Sequence, residues 1–269
     1  MPGTLKATIA YYDPPEPVPA SARPDFSKLP LRARPARIED IRGREDEFSL
    51  QCQGFCLAGA PTAVADFYDR DEVTRVYLPE VSELLREVTG CRATAMLNAP
   101  VVRVSDAAGQ RRPGTTMTGD FAHADFSAPS AEFMLRRAVP PDQAQARLRQ
   151  RYSIFNVWRA FSAPPQDVPL ALCDARCVAP ADKQLCSITL TVSTGEVMTW
   201  ENLTYRHNPQ HRWFYASDMT RDQAYVFRAY DSDPARAEQV PHSAFRDPSC
   251  PPGAPARASI EVRMLAFYE

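Results

Sequence analysis

At 269 residues, 44% apolar and 24% charged, the chain carries enough apolar material for one sizeable core and too much for a disordered segment. A formal net charge of −2 gives no basic field suited to nucleic acid or an anionic membrane. No run nears the ~20 apolar residues of a spanning helix, and seven cysteines, an odd number, argue against a secreted disulfide framework. The first residues show no charged-then-apolar leader pattern, so the expected compartment is the cytoplasm.

Residues 5–12 read as an opening strand. A connection from Asp13 to about Arg37 follows, holding Pro14, Pro15, Pro17, Pro19, Pro24, Pro30 and Pro35. Proline fixes φ and removes a donor, so residues 1–37 are expected to form an extended arm packed on a single domain spanning 1–269, rather than a ligand for a polyproline-binding partner. Alternation around Phe48, Leu50 and Cys52, with a turn at Gly54, predicts a hairpin over 47–58. From Asp71 the spacing of Val73, Val76, Tyr77, Val81, Leu84, Leu85 and Val88 predicts a helix that Gly90 closes and Pro79 kinks or divides.

A strand over 92–104, interrupted by Pro100, leads into a polar loop and then to His123. Ser130 is the expected cap of a short helix over 131–138, and Pro140-Pro141-Asp142 restarts another. Strands are expected at 154–159 and 170–173, and a hairpin at 186–193 and 196–205 around Thr194-Gly195. Further strands at 213–215, 224–230 and 257–268 close the chain. Helices early and many short strands late predict a mainly β protein with flanking helices around a jelly-roll, or double-stranded β-helix, core of the cupin-like kind.

The chemistry centres on Phe121-Ala122-His123-Ala124-Asp125-Phe126. Side chains alternate along a strand, so His123 and Asp125 face one way, and an imidazole beside a carboxylate is two thirds of a facial triad for non-haem Fe(II). The third ligand is sought among the remaining histidines, His207, His211 and His242. Pro209 lies between His207 and His211, which rules out a helical metal pair and marks both as loop residues. His242 follows an apolar strand and precedes Ser243-Ala244-Phe245; fifteen residues later comes Arg257-Ala258-Ser259. Period two places Arg257, Ser259, Glu261 and Arg263 on one face. A guanidinium with a hydroxyl suits the distal carboxylate of 2-oxoglutarate, with Arg263 as the second candidate for that carboxylate. Asn156 and Trp158 share a strand face and are expected to line the cosubstrate pocket, while Arg159 points the other way, to the surface, a structural ion pair or a substrate.

The order HxD, distant His, RxS is similar to that of Fe(II)/2-oxoglutarate oxygenases. More narrowly, the chain resembles the asaB hydroxylase/desaturase family, which includes CmcJ-like proteins. The resemblance is carried by residues 40–46 and 75–81, Asn156-Val157-Trp158-Arg159, residues 169–176, His211-Arg212-Trp213-Phe214-Tyr215, Tyr230-Asp231-Ser232, Pro241-His242-Ser243-Ala244-Phe245 and residues 259–263. It implies a jelly-roll fold, Fe(II) and 2-oxoglutarate as cofactors, and the metal positions His123, Asp125 and His242. It also implies oxidation of a small molecule by O2 in secondary metabolism: hydroxylation, desaturation or oxidative cyclisation. Phe126 stands where the family carries a polar residue, and the stretch 96–102 lacks polar residues found there, which implies a pocket shaped for a different substrate. Partners beyond substrate and O2 are not expected among nucleic acids or membranes; a homodimer is compatible with the chain.

Two other readings are open to the residues. Cys52-x3-Cys56 and Cys173-x3-Cys177 have a spacing that a four-cysteine zinc site can use, although free thiols suit the strand placement of Cys173 better. A metal-binding accessory protein, assisting a partner such as a methyltransferase without turnover of its own, is the non-enzymatic alternative.

Overall fold

The computed structural model describes residues 3–109, 112–191, 195–236 and 239–269. Two sheets face each other. The first runs β1 (Thr4–Tyr12), β2 (Leu31–Asp40), β12 (Trp213–Tyr215), β9 (Leu170–Cys173), β14 (His242–Ala244), β7 (His123–Ala124), β11 (Val197–Tyr205) and β10 (Lys183–Thr191). The second runs β3 (Phe55–Gly59), β13 (Gln223–Asp231), β8 (Tyr152–Ala160), β15 (Ala258–Phe267), β5 (Val101–Val104) and β6 (Thr115–Met117), with β4 (Ala93–Met96) also on β15. From β8 onward the chain crosses repeatedly between the sheets, which is the winding of a double-stranded β-helix. The jelly-roll expectation holds.

Period two sorts the side chains of the second sheet. On β15, Ile260, Val262 and Met264 join Phe155, Val157 and Val226 in a buried cluster with Tyr77, Val81, Leu84 and Leu85. These last four come from the helical segment α1 (Arg70–Glu72), a π turn (Val73–Tyr77) and α2 (Leu78–Thr89). Pro79 falls in the first turn of α2, where its missing N–H is spared, and Gly90 stops the helix at φ 71°. Each fully buried Val, Leu, Ile or Phe contributes about 1.5–3 kcal/mol, so this face anchors the sheet. The opposite face of β15 looks between the sheets, towards Trp158, Leu172, Phe214 and Phe227 of a second cluster.

Three expectations are corrected. Residues 31–37 are not arm but the first part of β2, paired with β1; Pro35 fits because β12 covers only Ile38–Asp40, leaving that side of the strand open. No hairpin forms over 47–58: Gln53 accepts from the Ser49 amide and donates to the Glu47 carbonyl, closing an irregular loop before β3, which pairs with β13. The cap of α3 (Ala128–Ala138) is Ser127, whose Oγ accepts from the Ser130 amide, since Pro129 in the first turn needs no donor partner. Ser130 instead accepts from the Glu201 amide at 2.7 Å. The turn residue Thr194 lies outside the described residues; the flanking strands pair from Lys183↔Tyr205 to Thr191↔Val197.

Candidate metal centre

His123 is the cross-strand neighbour of His242, because β7 and β14 are adjacent and register the two directly. Their rings stand 4.3 Å apart between centroids, and both are buried. Asp125 lies one residue past the end of β7, and its carboxylate comes to the side where the two imidazoles meet. One ligand atom from each of the three lies within 4.8 Å of the others. Among the described residues no other group of three such side chains is brought together; Cys173 and Cys177 lie Sγ to Sγ at 3.7 Å, but Cys52 is exposed and joins no cluster with them.

Backbone contacts fix both imidazoles. His123 Nδ1 donates to the Phe121 carbonyl at 2.8 Å and His242 Nδ1 to the Val240 carbonyl at 3.2 Å. A carbonyl only accepts, so the proton sits on Nδ1 and the lone pair on Nε2 in each ring. His242 Nε2 is buried with no hydrogen-bond partner among the described residues. Phe121 and Phe227 pack on the two rings at 4.8 and 4.9 Å. Gly119 leaves room at the His123 edge: a Cβ there would lie 3.1 Å from Cε1 and 3.6 Å from Nε2.

The electrostatics keep both rings neutral and the carboxylate charged. Burial, reinforced by the neighbouring His242, pushes His123 down to about 3. Burial also lowers His242. Burial alone raises Asp125, but the Arg263 guanidinium and the two imidazoles outweigh it and hold the carboxyl well below the usual range. Neutral nitrogens beside an ionised carboxylate are the state a divalent metal requires.

The remaining predicted residues lie on adjoining strands. β8 and β15 register Asn156 with Arg263 and Trp158 with Glu261. Asn156 Nδ2 donates to Asp125 Oδ2 at 2.6 Å, and Asn156 Oδ1 is buried without a partner. Arg263 donates from Nε to Asp125 Oδ2 at 2.9 Å and from Nη2 to Oδ1 at 3.2 Å, and it also pairs with Glu261. Arg257 is buried, stacks over Trp158 at 5.4 Å and donates Nη1 to the Val168 carbonyl, while its Nε has no partner. Ser259 Oγ donates to the Arg103 carbonyl at 3.4 Å. Phe126 is buried in a cluster with Met134, Leu135, Ile154 and Leu265, and so adds no polar group.

Arg159 does face away from Asn156, yet it is not at the surface. Only 1% exposed, it lies over the Tyr77 ring at 5.2 Å and donates to the Arg221 carbonyl, a structural setting that the covering helix creates. His207 and His211 are loop residues as expected, with His211 held by Asp182 at 3.1 Å. Sequence reasoning missed the parts played by Glu261, Gly119 and Arg103. Glu261 was marked only by its period-two position between Ser259 and Arg263. Arg103 registers beside Ser259 across β5, and its charge adds to burial, the main cause, in lowering the pKa of Arg257, His123 and His242. Nothing in the local sequence of either Gly119 or Arg103 indicates these contacts.

The family model described as Oxidoreductase/YMDC permease-like domain matches residues 6–267. Hydroxylase/desaturase efuI of Hormonema carpetanum is 32% identical over 263 residues, 90% of this chain and 86% of that protein. The Fe(II)/2-oxoglutarate-dependent dioxygenase nvfI of Aspergillus novofumigatus is 28% identical across 93% of this chain and 88% of its own. The solved structure of iron and alpha-ketoglutarate-dependent endoperoxidase NvfI superposes with a TM-score of 0.84 at 23% identity, covering 98% of both chains, and shows the shared jelly-roll fold. The chain belongs to the asaB-type hydroxylase/desaturase family of oxidoreductases.

Proposed function

We infer that this protein is a non-haem Fe(II)/2-oxoglutarate-dependent oxygenase that oxidises an unactivated C–H bond of a small molecule in secondary-metabolite biosynthesis. One observation carries the reading: a buried His-Asp-His cluster whose Nε2 lone pairs are aimed by backbone contacts, one of them with no protein partner. His123, Asp125 and His242 would hold the metal, in the donor set of a facial triad. When bound, iron with 2-oxoglutarate supplies the oxidising power that consumes O2, releases succinate and CO2, and removes hydrogen from the substrate.

The chain's own contribution is binding, orientation and exclusion of water. Arg257 and Ser259 are assigned to the distal carboxylate of 2-oxoglutarate. The support is that Arg257 is a buried cation with no ion pair to a carboxylate among the described residues, whereas Arg263 already has two. An enclosed guanidinium of this kind pairs readily with an anion. Asn156 and Trp158 are assigned to the wall of that pocket; Asn156 steadies Asp125 and Trp158 carries the Arg257 plane. The same reading puts the enzyme in the cytoplasm, and no helix among the described residues is long and apolar enough to cross a membrane.

The test is O2-dependent succinate release from 2-oxoglutarate by the Fe(II)-loaded protein, measured beside His242→Ala. Release by wild type and none by the variant is the expected result. Metal binding without succinate, across a panel of small-molecule substrates, is the outcome that the accessory-protein reading requires.

A further inference from the structure

Among the described residues, three donors reach Asp125. Oδ2 receives Arg263 Nε at 2.9 Å and Asn156 Nδ2 at 2.6 Å, whereas Oδ1 receives only Arg263 Nη2 at 3.2 Å. A carboxylate has about four lone-pair sites, so this arrangement leaves one, and it is on Oδ1. The same guanidinium pairs with Glu261, the second buried carboxylate on this face of β15. Strand register accounts for the arrangement: Arg263 is two residues from Glu261 on one strand and directly beside Asn156 on the next.

We propose that Arg263 is the positioning residue of the metal centre: clamped between Asp125 and Glu261, it presents Asp125 through Oδ1 alone and keeps Glu261 out of the coordination sphere. The proposal rests on the reading of His123, Asp125 and His242 as metal ligands. Its consequence is specific. An Asp125 that bound through both oxygens, or a Glu261 that joined it, would fill positions that a facial triad leaves open for cosubstrate and O2. With the clamp in place, two buried carboxylates share one cation and only one of them faces the metal. Arg suits this better than Lys, because a planar fork spans two acceptors at fixed angles and an ammonium does not.

Co(II) tests this without turnover, through its affinity by calorimetry and its visible ligand-field band. Glu261→Gln/Arg263→Gln, which removes both charges together, is expected to bind Co(II) about 10–100-fold more weakly, the usual cost of losing an outer partner of a metal ligand, and with a shifted band. Glu261→Gln alone, which leaves the fork on Asp125, is expected to keep the wild-type band. A double variant with wild-type affinity and band overturns the proposal. Should the double variant not fold, Arg263→Lys decides: a shifted band supports the fork, an unchanged one overturns it. Failure of the underlying reading looks different. In that case wild type binds no Co(II), or Asp125→Ala binds it as well as wild type, and the proposal falls with the reading.

Discussion

Arg257 and Arg263 lie on the same inner face of the last strand region, both buried, with opposite surroundings. Arg263 is gripped by Asp125 and Glu261, which outweigh burial and strengthen its charge. Arg257 has a carbonyl, an indole face and an unpartnered Nε; burial, with Arg103 nearby, pulls it down to about 10. Among the described residues two carboxylates pair with Arg263, whereas none forms an ion pair with Arg257, on which Asp120, Asp167 and Glu261 act only at longer range. Burying a guanidinium unpaired costs several kcal/mol, so the second arrangement persists only where something offsets it. Under the proposed function a ligand carboxylate does so for Arg257. On that proposal the pair divides the labour of one strand: the end near Asp125 orders the metal face, and the other end receives the cosubstrate.

The strongest way to break this comparison is Arg257→Ala. Removing one member of a buried charge pair costs about 2–5 kcal/mol, so the 2-oxoglutarate requirement should rise about 30-fold or more, with Fe(II) affinity unchanged. A titration of succinate release against 2-oxoglutarate reads this; an unchanged requirement would move the carboxylate site away from Arg257.

A second test uses pH on the metal-free protein. The two arginines and Asp125 keep their charges between pH 7.5 and 5, but the buried histidines resist theirs. His123, near 3 when folded against an ordinary 6.5, takes up a proton in the unfolded chain first, so its contribution is flat above about pH 6.5 and destabilises as pH falls below it. By pH 5 this amounts to about 2 kcal/mol from His123, with His242 and His211 acting in the same direction. Denaturant melts at the two pH values should show the loss, and His123→Gln should shrink it; equal slopes for wild type and variant would contradict the assignment.

The smallest effect is expected at Asn156. Its 2.6 Å bond to Asp125 Oδ2 duplicates part of what Arg263 does, so Asn156→Ala should weaken Fe(II) binding about tenfold, the lower end for an outer partner of a ligand. A loss as large as that of the Arg263 double variant would reverse the order of the two.

Much of this was legible in the sequence because it is local. An HxD at a strand end brings its own imidazole and carboxylate together, and the alternation Arg257, Ser259, Glu261, Arg263 predicts one polar face on a strand whose other face, Ile260, Val262 and Met264, is core. What stayed hidden is pairing over distance. Arg263 meets Asp125 across 138 positions of sequence, so its two-carboxylate setting, and hence the choice between it and Arg257, appears only when β15 is seen against the end of β7 in the facing sheet. Period two alone puts Arg159 on the face opposite Asn156, yet no local pattern says that Tyr77 will cover it. At Ser130 the competing cap three residues earlier won because Pro129 tolerates the first helical turn.

The most direct test of the central claim is an anaerobic titration of Fe(II) and 2-oxoglutarate into the purified protein, followed by the visible metal-to-ligand charge-transfer band. The expected band needs both components, is absent in His242→Ala, and demands more 2-oxoglutarate in Arg257→Ala. Folded wild-type protein that shows no band with both components in excess would contradict it.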